Sequence, residues 1–284
     1  MTMLRALKQS TLSPMLQWAL KRAARAYVAG DRIDDAVRVV DQLAAKGLVA
    51  TVGFWNEDRD SPRQVADQYL DCIRHCRAGD YVSIKLPAID FSRTLFDELA
   101  AAAAPAGIRL HLDAMQPNTA ERTWLFVDPV LIAAQVRIGV TLPSRWSRSI
   151  GDAAWAAERR LPVRVVKGQW PDQEGPNDDL RAGFLSLVRA LAGRAAHVAV
   201  ASHDLAVTRP ALRELSAAAT HCELELLYGM PRRTSLAMAR TLDVAARVYV
   251  GYGFGFLPYA VGRLLDDPRR IVWLIRDAAG LGQR

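Results

Sequence analysis

Cysteine is scarce: the 284 residues contain three, Cys72, Cys76 and Cys222. An odd, low count argues against a disulfide framework and suits a reducing compartment. Cys72 and Cys76 lie four apart with no second ligand pair near them in sequence, and no His/Cys/Asp cluster has zinc-site spacing, so no metal is expected. No apolar run approaches the roughly 20 residues of a membrane-spanning helix. Residues 1–28 are basic and amphipathic but lack the apolar core and small-residue cleavage site of a secretory signal. Neither a G-x-S-x-G elbow nor a Walker loop is present, which leaves hydrolase and nucleotidase chemistry without a motif. No linker, low-complexity tract or shift in composition divides the chain.

Positive charge is in moderate surplus: 37 Lys and Arg against 30 Asp and Glu, a net +7. The arginines are scattered along amphipathic helices rather than gathered into a basic block. They read as a solvated surface, and no nucleic-acid partner is expected.

What the chain has in abundance is alternation. Eight short runs rich in Val, Ile, Leu and Tyr fall at 48–55, 81–86, 108–113, 136–142, 162–167, 197–202, 222–228 and 247–252. Each has the length and composition of a buried parallel strand. Alanine-rich charged stretches with helical periodicity lie between them, at 61–77, 92–104, 149–160, 178–193 and 206–219. Ser61-Pro62 offers an N-cap and a proline at the first helical position. Asp204 and Thr208-Arg209-Pro210 offer a similar start after the sixth run, and Gly47 and Gly107 close the helices before their strands. Strict alternation implies parallel strands with right-handed crossovers. Eight units fit a closed (β/α)8 TIM-type barrel better than an open doubly wound sheet, which is the alternative. The expected organisation is one domain over residues 1–284, with 1–46 a helical lead-in and 47–284 the barrel.

In such a barrel the reactive groups sit at the C-terminal ends of the strands. The polar residues there are Lys85, Asp113, Arg164, Lys167, Ser202, His203, Asp204, Glu223, Glu225, Tyr249 and Tyr252. Charges inside a barrel are costly unless paired or bound to something charged. Cations and an aspartate on successive strand ends point to an electrostatically organised, anion-binding pocket.

At this point six segments, in order, resemble the motifs of the flavin-dependent proline dehydrogenases. Arg164-Val165-Val166-Lys167-Gly168-Gln169-Trp170 is similar to the fifth-strand R-L-V-K-G-A-Y. Ser83-Ile84-Lys85-Leu86 resembles the second-strand lysine motif, and His111-Leu112-Asp113 the third-strand aspartate motif. Ala201-Ser202-His203-Asp204 is similar to A-T-H-N, and Glu223-Leu224-Glu225 begins a match to E-F-Q-x-L-x-G. Arg247-Val248-Tyr249-Val250, followed by Tyr259 through Asp266, resembles R-x-Y-x-P and then Y-x-x-R-R-x-x-E. The resemblance covers about residues 25–270. It implies a bound FAD, held by Arg164, Lys167, Gly168, Ser202, His203 and Glu225. It also implies a substrate pocket of Lys85, Asp113, Tyr249, Tyr259 and Arg263, the last gripping a carboxylate through its planar fork. The implied reaction is oxidation of proline or a related cyclic amine or imino acid to an imine, with hydride passing to flavin N5. Electrons would go on to a quinone or another acceptor. The expected location is the cytoplasm, with peripheral contact to the inner membrane.

The departures from the family pattern fall in the pocket. Gly262 replaces the first of two adjacent arginines, Pro143 stands where a glutamine ends the fourth strand, and Glu225 replaces a glutamine. Asp266 and Trp170 are milder changes. Two explanations stay open: an enzyme for a different amine, or a barrel that has lost its redox activity and binds a small ligand. Unrelated TIM-barrel chemistry is the remaining alternative. Of the other features, Gly251-Tyr252-Gly253-Phe254-Gly255 reads as a tight strand-to-helix turn, and Trp55, Trp124, Trp146 and Trp155 as packing residues. His75, His197 and His221 read as surface or capping residues, and His111 as facing the helical layer. Arg145 and Arg148 follow the fourth strand, serving either a cofactor pyrophosphate or solvent.

Overall fold

A computed structural model describes residues 27–133, 136–172 and 179–255. Eight strands pair in parallel, each with its sequence neighbour, and the last closes on the first. The strands are β1 (Val49–Phe54), β2 (Tyr81–Ile84), β3 (Arg109–Leu112), β4 (Arg137–Pro143), β5 (Pro162–Val166), β6 (His197–Ala201), β7 (Cys222–Leu227) and β8 (Ala245–Tyr252). The helices among the described residues are α1 (Ile33–Ala44), α2 (Pro62–His75), α3 (Arg93–Ala106), α4 (Ala120–Ala133), α5 (Ser149–Glu158), α6 (Leu180–Leu191), α7 (Leu205–Ala217) and α8 (Arg233–Thr241). The eight-stranded closed barrel expected from the alternation is therefore the fold.

Local chemistry sets the helix ends. Ser61 caps α2 by accepting from the Gln64 amide, Gln64 closes the capping box, and Pro62 holds the first turn. Gly107 ends α3 in the left-handed conformation. Asp204 caps α7 by accepting from the Ala206 amide at 3.0 Å. That helix begins at Leu205, so Thr208 and Pro210 lie inside it, where the Thr208 hydroxyl donates to the Asp204 carbonyl at 3.1 Å. Of the two starts that the sequence offered, Asp204 and Thr208-Arg209-Pro210, the Asp204 cap sets the boundary, four residues before Thr208. Helix α1, at the end of the lead-in, packs on β1 and β8 as part of the outer layer. Just before it, the Ala29 amide donates to Gly251 O and the Gly253 amide to Gly30 O, pinning the end of β8.

Strand parity divides the barrel wall in two. Val52, Ile84, Leu110, Val140, Val165, Val200, Leu226 and Val250 face the helices and are at most 3% exposed. The alternate positions face the lumen and are polar: Thr51, Ser83, His111, Thr141, Arg164, Glu223, Glu225 and Arg247 are all buried. Barrels of this kind usually fill the lumen with branched aliphatics. Here it is filled by two stacked ionic layers, each with an acid from β7. In the lower layer Arg247 Nε donates to Glu223 Oε1 at 2.9 Å, Nη1 to Ala50 O at 2.7 Å and Nη2 to Gly79 O at 3.1 Å. The Arg247 and Arg109 guanidinium carbons lie 3.3 and 4.0 Å from the Tyr81 ring centroid.

Two histidine expectations are corrected by this parity. His111 faces the lumen rather than the helices: it stacks with Tyr81 at 14° and 6.3 Å, and a methyl group at Gly139 would overlap its ring. His197 is buried at 5% exposure rather than on the surface, with Nδ1 3.5 Å from Arg109 Nη1. His75 and His221 are exposed, as expected.

Candidate active site

The upper ionic layer lies toward the C-terminal mouth and is built around Arg164, at the centre of β5. Its Nε donates to Glu225 Oε2 at 2.7 Å and its Nη2 to Glu225 Oε1 at 2.9 Å, a bidentate fork. Nη2 also donates to Thr51 Oγ1 at 3.3 Å, and the Thr51 hydroxyl in turn donates to Glu225 Oε1 at 2.9 Å. Nη1 donates to Asp113 Oδ1 at 3.0 Å. Burial works to lower the Arg164 pKa, but Glu225 and Asp113 outweigh it and hold the guanidinium raised, hence charged.

Asp113 gathers the rest of the cluster. The Ser83 hydroxyl donates to its Oδ1 at 2.6 Å and the Tyr249 hydroxyl to its Oδ2 at 3.3 Å. Burial, then the Asp113 charge, push the Tyr249 hydroxyl well above the ordinary tyrosine pKa, so it stays a donor. Lys85 is buried at the end of β2 and donates from Nζ to Phe54 O at 2.5 Å. Its ammonium sits 5.0 Å from the Trp55 ring centroid. Burial lowers its pKa, and Asp113 acts in the opposite direction. Lys85, Asp113, Arg164, Glu225 and Tyr249, all singled out in the sequence, thus converge.

The remaining singled-out residues sit on the rim or lie elsewhere. Lys167 is exposed just after β5, and Gly168 follows it at φ +89°, with a Cβ there only 2.7 Å from the Pro143 ring. The Ser202 hydroxyl accepts from the Asp204 amide at 3.1 Å. His203 spans two strand ends: its Nε2 accepts from the Leu227 amide at 2.8 Å, and its Nδ1 donates to Pro231 O at 3.2 Å. Burial lowers its pKa, against the Pro231 carbonyl, consistent with a neutral ring. Arg145 donates to Gln169 O at 3.1 Å and Arg148 pairs with Asp152 at 2.9 Å, so the loop after β4 is latched to its neighbours. Tyr259, Arg263, Gly262 and Asp266 lie outside the described residues. Among the described residues no group of His, Cys, Asp or Glu could hold a metal ion, and no helix is long and apolar enough to cross a membrane.

Gly53 and Gly251 are site residues that the motif reading missed. A methyl group on Gly53 would overlap the Tyr249 hydroxyl, and one on Gly251 would overlap the Trp55 indole nitrogen. Each glycine is a slot that admits an aromatic group to the mouth. The signal was present as a glycine inside a strand-like run, but its partner is a strand away. Gly53→Ala is expected to displace Tyr249 from Asp113 and to destabilise the fold by about 1–3 kcal/mol through overpacking. A denaturation curve checks the stability, and an unshifted Tyr249 side chain in a crystal structure of the variant would contradict the slot.

No family model matches the chain. Curated proteins do. Proline dehydrogenase 1 of Bacillus subtilis is 25% identical over 91% of each chain, and the proline dehydrogenase of Deinococcus radiodurans 26% identical over 89% of each. The chain is a divergent relative of the proline dehydrogenases. Solved structures agree on the fold. Proline utilization A (PutA) from Bdellovibrio bacteriovorus, determined after inactivation by N-propargylglycine, superposes with a TM-score of 0.72 at 16% identity, covering 90% of this chain and 34% of that one. PutA from Corynebacterium freiburgense gives 0.68 at 15% identity, covering 98% and 34%. The chain spans about a third of the length of those two structures.

Against the proline dehydrogenase pattern, two departures take on structural meaning. Glu225, in place of a glutamine, adds a charge that is absorbed by the fork to Arg164. Pro143, in place of another glutamine, offers no side-chain donor; its carbonyl accepts from the Ser149 hydroxyl at 2.6 Å and so anchors the start of α5.

Proposed function

We propose that this chain is an oxidoreductase that oxidises proline, or a related cyclic amine or imino acid, to the corresponding imine with FAD as cofactor. The observation that carries the reading is the hydrogen-bonded cluster of Asp113, Arg164, Glu225 and Tyr249, with the Lys85 ammonium under the influence of the Asp113 charge, at the mouth of a barrel similar along its length to proline dehydrogenases.

The donor set suits a flavin. Arg164 has five N–H groups, of which the bonds to Glu225, Thr51 and Asp113 use four; one Nη1 hydrogen remains for a ring nitrogen. Val166, Ala201 and Leu227, the inward residues at the ends of β5, β6 and β7, are half-buried and apolar, a surface fit for a flat ring. Lys167, Gly168, Ser202 and His203 border it. When bound, FAD supplies the hydride acceptor.

The chain's own residues bind and orient the amine. Asp113 Oδ2 carries only one long hydrogen bond and has room to accept an amine N–H. Tyr249, held upright by Gly53, walls an apolar ring, and Lys85 balances the Asp113 charge. Tyr259 would complete the wall and Arg263 would hold a carboxylate. Electrons would leave to a quinone or another acceptor, and the +7 surplus suits an anionic membrane surface. A second reading, a ligand-binding barrel without redox activity, is favoured by one observation: Glu225 and Asp113 leave Arg164 little unbalanced charge to offer a reduced flavin.

Purified protein separates the two. The oxidoreductase reading expects a yellow protein that reduces a dye with a cyclic amine; a colourless protein that takes up no added FAD would sink it. With Gly262 where a second arginine is expected, proline should bind weakly. Gly262→Arg is expected to lower its KM about tenfold or more. A parent that already binds proline tightly, unchanged in the variant, would refute the argument about Gly262.

A further inference from the structure

Strand β6 stops before β7 does. Their last register pair is Ala201 with Glu225, and β7 runs on to Leu227. The Tyr228 amide reaches β8, donating to Tyr249 O at 2.9 Å, so by alternation the Leu227 amide points toward β6, past its end. His203 Nε2 accepts from that amide at 2.8 Å, in place of a strand carbonyl. The same ring reaches the far side of the turn that follows, where its Nδ1 donates to Pro231 O at 3.2 Å. Between the two anchors the chain turns through Gly229 at φ +78°, and the Met230 amide donates to Leu227 O at 3.4 Å. The ring is itself aimed. The Asp204 amide donates to Ser202 Oγ at 3.1 Å and the Asp204 carboxylate caps α7, which fixes the backbone on both sides of His203.

We propose that His203 is a positioning residue, whose ring clamps the β7–α8 turn to the end of β6 and so sets Leu227 beside Ala201 on the apolar surface assigned to the flavin. An amide can only donate and a carbonyl can only accept, so the tautomer is fixed with the proton on Nδ1. A neutral imidazole has one N–H and one in-plane lone pair. Pro231 takes the first and Leu227 the second, which leaves neither for a ligand. His203 therefore acts through the main chain, not by the direct cofactor contact that the motif implies. Burial favours the neutral ring that this requires, and the Arg232 charge acts in the same direction, against the Pro231 carbonyl. The effect on FAD rests on the oxidoreductase reading; the clamp does not.

Three measurements on the purified protein test it. Nitrogen NMR is expected to show a neutral His203 ring protonated on Nδ1. A proton on Nε2 overturns the clamp, because that nitrogen then cannot accept from Leu227. In His203→Leu the Leu227 amide should exchange with solvent about tenfold faster, with the β2 amides unchanged. His203→Gln, whose carboxamide oxygen can stand in for Nε2, should return most of the protection. Unchanged exchange at Leu227 in His203→Leu also overturns the clamp. In a titration followed by flavin fluorescence, His203→Leu should weaken FAD binding roughly three- to tenfold and His203→Gln should recover it. Faster exchange with unchanged FAD affinity would confine His203 to the turn and refute its part in placing the cofactor surface. A parent that takes up no FAD counts against the oxidoreductase reading, and the tautomer and exchange results still decide the clamp.

Discussion

Arg164→Met is expected to cost about 3–5 kcal/mol of stability, the largest loss of any lumen substitution in the upper layer. Arg164 and Glu225 have side chains only 4% and 3% exposed, and Asp113 17%. Solvent therefore cannot take over when the cation is removed. Methionine keeps volume and packing but leaves the Asp113 and Glu225 carboxylates without the cation they share. The loss measures uncompensated charge rather than the net worth of the ion pair, and this distinguishes the variants. Glu225→Gln keeps a hydrogen bond to the fork and leaves Asp113 opposite Arg164, so its cost should stay below about 2 kcal/mol. Removing both partners in Arg164→Met/Glu225→Met should recover much of the single-variant loss, because a desolvated pair replaced by apolar groups of similar volume is often neutral. Denaturant midpoints at unchanged slope give all three values. A double variant less stable than Arg164→Met would mean that packing, not charge, dominates this layer.

The charge balance of the lumen also marks where the sequence was readable. The aliphatic set of each strand announced the wall, because a strand covered by helices on one side keeps Val, Ile and Leu at every second position. The polar set was equally regular. Glu223 and Glu225 are two apart on β7, and Arg109, His111 and Asp113 are two apart along β3 and past its end. Parity alone puts His111 on the same side as Asp113. The outward reading of His111 failed because histidine was judged by type rather than by phase. Pairing across the lumen was not legible: Arg164 and Glu225 are 61 positions apart, and only closure of the barrel brings Glu225 to this cation rather than to Arg247. For the same reason Glu225 read as an added charge, when its fork makes it the anchor of the site's central arginine. The motif residues on strands β2, β3, β5, β7 and β8 did converge, because a barrel projects all its strand ends to one mouth. Gly53 stayed invisible because its role is the absence of a side chain beside Tyr249.

Acid should unfold this protein through the lower layer, and the sign follows from two buried histidines. Burial lowers the pKa of His197 to about 3, with Arg109, His221 and Arg247 adding to the effect. His111 is held well below the ordinary histidine value, first by burial and then by Arg164, Arg109, His197 and Arg247; neither of its ring nitrogens has a protein partner. One contact points the other way: His197 Nε2 lies 3.7 Å from Glu223 Oε1, which would favour a charged ring. Glu223 is already engaged by Arg247 at 2.9 Å, so its charge is largely spent and the neutral ring prevails. Both histidines are therefore unprotonated in the folded chain at neutral pH. In the unfolded chain each gains a proton below about pH 6.5. The unfolded state then binds more protons than the native state, and stability falls as the pH drops through that window, by about 1.4 kcal/mol per pH unit for each histidine. For His197 alone the window down to about pH 3 amounts to roughly 5 kcal/mol. Asparagine at either position keeps a polar group without a titration in this range. His197→Asn and His111→Asn should each flatten the fall of the denaturant midpoint between pH 6.5 and 4, and together remove most of the histidine contribution. An acid slope unchanged in the double variant would show that these rings do not govern the acid limb.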